Sequence, residues 1–267
     1  MNTKTLALKD KKTIVILTFL TIVLVVVFIV ALGMGQVSIP LKDSVLILLN
    51  KAGLLSSYSP DAVFETVLWN IRFPRLVMTV MIGAALAVSG AALQGLFRNP
   101  LVESGLIGVS GGAALSVVTL IVFGGALSLA RESASMYMLM PVVSFCGGLL
   151  AKFIVTRISA QVGKTNIAVL ILAGVAVNAL TGALMGLAIF YADENQLRMF
   201  TFWTLGDLGG ASWNKLLFAA PLLVLSTAWL LTFQNALNAI ALGESEAYHM
   251  GVDVERVKKS TIFFSDI

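Results

Sequence analysis

Histidine and cysteine are nearly absent, with one of each in 267 residues, His249 and Cys146. A lone cysteine closes no internal disulfide, and its apolar surroundings read as packing. One histidine without a second nitrogen or sulfur ligand nearby disfavours a metal site. There is no G-x-x-x-x-G-K-[ST] loop to cradle phosphate and no H-E-x-x-H pair. An enzyme reading has little to stand on, and no cofactor or metal is expected. Charge is scarce too, at 12% of residues. The net surplus of +4 is better read through its placement along the chain than as a nucleic-acid signal, so no nucleic-acid partner is expected.

What is present is apolar: 58% of residues are hydrophobic, and the mean hydropathy is +0.95. Such a chain cannot hide its apolar surface in one water-facing fold and must use lipid as solvent. Stretches long enough for about 30 Å of hydrocarbon fall at Thr13–Met34, Pro74–Phe97, Leu106–Gly125, Tyr137–Val155, Ile167–Tyr191 and Lys215–Phe233. The expected fold is therefore an all-α polytopic bundle of about six complete spans, a single transmembrane domain over residues 1–267. Lys9, Lys11 and Lys12 give the first span the look of a signal peptide. Its run is too long for a typical signal h-region and no A-x-A site closes it, so it reads as a retained span.

Placing the N-terminus in the cytoplasm puts Lys4, Lys9, Lys11, Lys12, Arg98, Lys152, Arg157, Lys164, Arg256, Lys258 and Lys259 inside. Outside lie Lys42, Lys51, Arg72, Arg75, Arg131, Arg198 and Lys215. The bias is modest, but the N-terminal lysines flank the first span, which usually dominates. After the polar stretch Gln234–Lys259, the text STIFFSDI begins a seventh membrane segment near Ser260 and stops at Ile267. That is too short to span, so the chain reads as truncated at its C-terminus.

Small residues carry the next signal. In Gly83–Ala92, GAALAVSGAA, only Leu86 and Val88 are larger than Ala or Ser. Lipid supplies no hydrophobic drive between helices, so close backbone approach must hold them, and small residues permit it. This helix is expected to be surrounded by others, and Gly182 and Gly186 repeat the device. Asn99-Pro100 ends the helix, since Asn before Pro is pushed out of the α region and Pro100 has no amide to donate.

The segment RFPRLVMTVMIGAALAVSGAALQGLFRNPLVESGLIGVSGGAAL resembles the FecCD-type permeases of bacterial ABC importers for iron-siderophores, haem and cobalamin. The resemblance continues in LILAGVAVNALTGAL, TFWTLGDLGGASW and ALGESEAYHMGVDVERVKK, covering nearly the whole chain after residue 65. It implies a family fold of about ten spans, of which this chain carries six and a start. It implies a homodimer in the bacterial cytoplasmic (inner) membrane, with two ATPase subunits below and a periplasmic or lipid-anchored substrate-binding protein above. ATP hydrolysis would belong to the partner. The run ADENQLRMFTFWTLGDLGGASW looks most like the haem-importing branch; iron-siderophore and cobalamin transport are the alternatives within the family.

The resemblance makes Arg72 and Arg75 docking cations for the binding protein; anchoring a helix end at the headgroups is the competing role. Gly174, Asn178, Thr181 and Met185 share one helical face. The resemblance sets Asn178, Thr181 and Met185 along the translocation path, with interhelical bonding as the other reading. Arg198 and Phe202 would stand at the pore mouth, an arginine meeting haem propionates and an aromatic the ring face; Trp203 fits the same role or an interfacial belt. Residues 234–259 form the expected cytoplasmic coupling loop, a short helix pair on the membrane surface, in which Gly243, Glu244, Ala247 and Gly251 would meet the ATPase. An ion-coupled carrier would instead show paired charges near mid-membrane, whereas here Asp and Glu lie outside the span centres. A purely structural membrane scaffold is the third alternative.

Overall fold

The long apolar runs fold as long helices, because in lipid every backbone amide must find its partner within the segment. The structure, a computed structural model, describes residues 3–55, 60–125, 133–161, 164–206 and 208–265. Arg131, Asp207 and the last two residues of STIFFSDI lie outside the described residues, as do the side chains of Lys4, Lys9 and Lys164.

In chain order the helices are α1 (Thr3–Gly33), α2 (Leu41–Lys51), α3 (Ala62–Thr66), α4 (Phe73–Phe97), α5 (Val109–Phe123), α6 (Ser133–Ser159), α7 (Ile167–Phe190), α8 (Glu194–Leu205), α9 (Trp213–Thr232), α10 (Gln234–Leu242), α11 (Glu244–His249) and α12 (Val254–Phe264). A two-residue antiparallel pair, Ala160–Gln161 with Lys164–Thr165, links α6 to α7.

Five stretches are long and apolar enough to cross a membrane: Lys11–Gly33, Ala62–Phe97, Leu139–Ser159, Ile167–Phe190 and Trp213–Thr232. They coincide with five of the six expected spans. The sixth, Leu106–Gly125, is present as a shorter apolar helix, α5. A 3-10 turn takes Ser104–Ile107, Gly108 sits at φ 90°, and α5 keeps only 15 residues. At 1.5 Å per residue that is about 22 Å, short of the hydrocarbon thickness. The expected seventh segment also starts earlier than Ser260, since Asp253 caps α12 by accepting from the Arg256 amide.

Two compact units divide the chain, and the division falls within α4 and α9. Met1–Val80 with Leu208–Ala219 forms the first. Residues 11–27 of α1 are exposed all round, as an apolar helix in lipid should be. Only its end packs, placing Leu32 with Ile39, Ile47 and Leu68. Between α3 and α4 a π-helical turn runs Val67–Arg72, with the Phe73 amide donating to Leu68 O five residues back. Pro74 follows and has no amide for the carbonyl four residues back, which fits a widened turn at that place. Trp69 stacks on Phe73 at 5.4 Å and tilts against Trp213 at 5.0 Å, and the Trp213 indole donates to Trp69 O at 2.9 Å.

Met81–Asp207 with Ala220–Ile267 forms the second unit. Glycines let its helices close. A Cβ on Gly111 would meet Thr181 Oγ1 at 2.5 Å, and one on Gly112 would overlap Ala151 and Gly147 O. A Cβ on Gly174 would overlap Leu106 O. The Gly83–Ala92 helix, expected to be enclosed, is not the crowded one within this chain. Gly83, Ala84, Leu86 and Ala87 are exposed, and no described atom lies within 4 Å of a Cβ at Gly83 or Gly90. Its C-terminal turns are buried instead, with Leu93, Leu96 and Phe97 packing in one core with Ile107, Leu170, Ile240, Ala247 and Ile262. Helix α4 ends at Phe97, and Arg98 takes the left-handed region at φ 53° just before Asn99-Pro100.

Candidate transport and coupling sites

Helix α8 owes its position to a capping box. Asp193 accepts from the Gln196 amide at 2.8 Å, and Gln196 Oε1 accepts from the Asp193 amide at 3.0 Å. Gln196 Nε2 also reaches Val122 O at 3.5 Å. One side of α8 carries Met199, Phe200 and Trp203 against Val117, Leu120, Ile121 and Met140. Trp203 is thereby committed to packing, stacked with Phe200 at 6.4 Å. The other side leaves Leu197, Arg198, Phe202 and Leu205 exposed. Arg198 donates to Asn195 Oδ1 at 2.9 Å within the same helix. Arg198 and Phe202 are one turn apart, so the expected cation and aromatic share one open stripe.

Helix α7 starts at Asn166, whose side chain accepts from the amides of Ala168 and Val169. Its expected face, Gly174 to Met185, is turned inward. Asn178 Nδ2 donates to Gly105 O at 2.8 Å, and Thr181 is 6% exposed with its hydroxyl on Val177 O and Asn178 O. Asn178 thus ties α7 to the 3-10 turn by a bond of about 1 kcal/mol, whereas the Thr181 hydroxyl bonds carbonyls of its own helix. Met185 is half-buried. The open face of α7 is Val175, Ala179, Gly182, Ala183 and Gly186, where no described atom comes within 4 Å of a Cβ at either glycine.

The 234–259 stretch, expected as a helix pair, folds as two short helices and most of a third. Gly243 at φ 144° breaks α10 from α11. Gly251 at φ 81° closes α11, with its own amide on Tyr248 O and the Val252 amide on Ala247 O. That pair of bonds is a Schellman end, which favours glycine at this position. Ala247 is fully buried and seats α11 on the core. The exposed surface is Leu242, Tyr248 and Met250, three large apolar groups beside Ser245 and Glu246.

Lys258, counted among the cytoplasmic cations, lies at the centre of this region. Its side chain is 5% exposed; Nζ pairs with Glu244 at 2.7 Å and Glu255 at 3.6 Å and donates to Thr165 O at 3.3 Å. Glu255 in turn accepts from the Thr165 amide at 3.0 Å. One ammonium therefore ties α11, α12 and the α6–α7 hairpin together. Lys152 is buried too, donating to Phe263 O at 2.6 Å near the end of α12. Both were missed because α12 was expected to start after Lys259. A helix begun at Asp253 sets Val254, Lys258 and Ile262 on one inward stripe.

Arg72 and Arg75 part company. Arg72 is 8% exposed, and its guanidinium donates to Leu32 O at 2.6 Å and to Val37 O, against Gly35. It satisfies a carbonyl in the last turn of α1, which no intrahelical amide reaches. So engaged, the Arg72 guanidinium ties the end of α1 to the π-helical turn. Arg75 is half-buried, with Nη2 on Gly209 O at 2.7 Å.

Residues 23–267 match the profile of the FecCD transport family. The chain is 38% identical over 251 residues to the hemin transport system permease protein HmuU of Yersinia pestis, covering 94% of this chain and 70% of that one. It is 34% identical to the molybdate import system permease protein MolB of Haemophilus influenzae, covering 94% and 71%. To the cobalamin import system permease protein BtuC of Halobacterium salinarum it is 35% identical, covering 73% of this chain and 50% of the relative. A solved structure described as an inward-facing ABC transporter of the metal-chelate type superposes with a TM-score of 0.72 at 31% identity, over 94% of this chain and 72% of that one. With α2 to α12 and the last third of α1 inside the matched range, the chain belongs to the FecCD transport family of ABC-importer permeases.

Proposed function

We propose that this chain is a membrane-spanning part of an ATP-driven importer that brings haem into the bacterial cytoplasm. The observation that carries the reading is the exposed apolar face of Leu242, Tyr248 and Met250, held on helices pinned by Lys258. An apolar patch rimmed by polar groups at the end of a helix bundle suits a partner protein. In this reading two ATPase subunits dock on that face of a permease homodimer. Their closure moves α10 and α11, and the spanning helices change the side to which they open. The open, small-residue face of α7 then meets the second permease copy beside the path. Buried carboxylates, which a self-sufficient ion-coupled carrier would use, do not occur among the described residues.

The α10–α12 region and the N-terminus lie in the cytoplasm of this inner-membrane protein. In a Cys146-free background, a cysteine at Ser245 stays unlabelled by an impermeant thiol reagent in intact cells. Ready labelling reverses the orientation.

Docking of the substrate-binding protein falls to Arg75, with Arg72 as the anchor beneath it. Arg75→Glu lowers the association rate several-fold in a salt-dependent way, since a rim charge acts on encounter. Arg72→Ala lowers the thermal midpoint instead, because it strips the carbonyls of Leu32 and Val37. An unchanged on-rate for Arg75→Glu removes the docking role.

Haem is the substrate reading because Arg198 and Phe202 stand on one exposed stripe and a hemin permease is among the relatives. A guanidinium pairs with a propionate through two parallel bonds. Arg198→Ala is expected to slow haem uptake about tenfold, from the loss of a charged hydrogen-bonded pair. Lysine there restores uptake only in part, having charge without the planar fork. Normal haem uptake by Arg198→Ala ends the pore-mouth role. Uptake of cobalamin or molybdate with none of haem ends the substrate assignment and leaves the permease reading standing.

A further inference from the structure

A cleft of about 490 Å³ opens beside the C-terminal end of α6, between that helix and α12. Leu149, Phe153 and Phe263 line its apolar wall, and Lys152, Arg157 and Lys259 its basic edge; no carboxylate is among its lining residues. The nearby Glu255 is turned to Lys258 and the Thr165 amide. Lys152 is engaged with Phe263 O, and its ammonium lies 5.2 Å from the Phe263 ring. Arg157 and Lys259 are exposed, and Arg157 lies over the Phe153 ring at 5.1 Å. The depth is informative. Arg157 stands two residues before the end of a spanning helix at Ser159, where apolar text gives way to the polar hairpin. Cations at that level lie among headgroups, and Phe153 one turn deeper lies among acyl chains.

We propose that this cleft is a binding site for one anionic phospholipid. Its phosphate sits against Arg157 and Lys259, and one acyl chain lies along Leu149 and Phe153. A free phosphate would satisfy the cations and leave the apolar wall uncovered, so the lipid is the occupant that matches both surfaces.

The test uses the purified chain in nanodiscs of mixed phosphatidylglycerol and phosphatidylcholine, followed by native mass spectrometry. The wild type is expected to retain one phosphatidylglycerol in preference to phosphatidylcholine. Arg157→Glu with Lys259→Glu is expected to lower that retention about 25-fold, at roughly fivefold per basic group near the surface. Lys12→Glu with Lys42→Glu makes the same change of net charge away from the cleft and should leave retention as in the wild type. Equal retention of the two lipids, or equal loss in both double variants, overturns the site. A photoreactive residue at Phe153 supplies the second measurement on an otherwise native chain. An adduct with phospholipid supports the proposal, whereas an adduct with a second copy of the chain or another polypeptide overturns it.

Discussion

Gly174→Ala is expected to lower stability by about 3 kcal/mol, at the upper end of the overpacking range. Alanine ordinarily gains about 1 kcal/mol over glycine inside a helix, so the clash must exceed that gain. It does so because the obstacle is Leu106 O, a backbone atom in a 3-10 turn that no rotamer change can move aside. To admit the methyl group, α7 has to retreat from that turn, which also stretches the Asn178 bond to Gly105 O. The paired control is Gly182→Ala, two turns along the same helix, where no described atom stands within 4 Å of the new Cβ. That variant should keep or slightly raise the thermal midpoint of the purified chain. If the opened face of α7 meets a second copy, the same variant lowers dimer yield without lowering stability. A Gly174→Ala midpoint equal to wild type would falsify the packing account, and a Gly182→Ala collapse would show that the two faces had been assigned in reverse.

These two glycines also mark where the sequence was legible. Long apolar runs name four of the spans within a few residues, and the fifth at its C-terminal end while its start runs back to Ala62, because hydrocarbon thickness is one constraint acting on the whole segment. The sixth starts three residues later than expected because Gly108 and its neighbours are apolar enough to pass as helix, while a single positive φ is enough to divide the turn from α5. Which small residues touch is not a property of composition. Gly83 and Gly174 look alike in the text; only tertiary approach separates an exposed glycine from a crowded one. The arginines behave similarly. A cation before a spanning helix reads as a rim group, but Arg72 lies within reach of unpaired carbonyls at the end of α1, and burial with those partners overrides its preference for water. In α8 the signal was present and unread: Asp193 with Gln196 three residues on is a capping pair, and it fixes the helix on which Arg198 and Phe202 stand.

Lys258→Met is expected to break transmission between the α10–α11 surface and the spanning helices, by removing one charge and keeping the aliphatic stem. With the ammonium gone, Glu244 and Glu255 lose their shared partner and Thr165 O loses a donor. Stripping one member from a buried pair costs about 3–5 kcal/mol where both groups are dry. Glu244 is 40% exposed on its side chain, so water recovers part of that, and a loss of about 2 kcal/mol is expected after screening. The local effect should exceed the global one. Helix α11 is held by Ala247 in the core, the Schellman end at Gly251 and the Glu244–Lys258 pair; the variant removes the last of these, so proteolysis near Gly243 accelerates. In a complete transporter this predicts uptake falling at least tenfold while the ATPase still co-purifies on Leu242, Tyr248 and Met250. Glu244→Gln added to Lys258→Met should recover part of the lost stability, since it neutralises the carboxylate left unpaired, and the double-mutant cycle isolates the pair from the rest of the network. Uptake need not recover with it, because the neutral pair no longer ties α11 to α12. Wild-type uptake and wild-type proteolysis in Lys258→Met would mean that the buried ammonium fills space and transmits nothing.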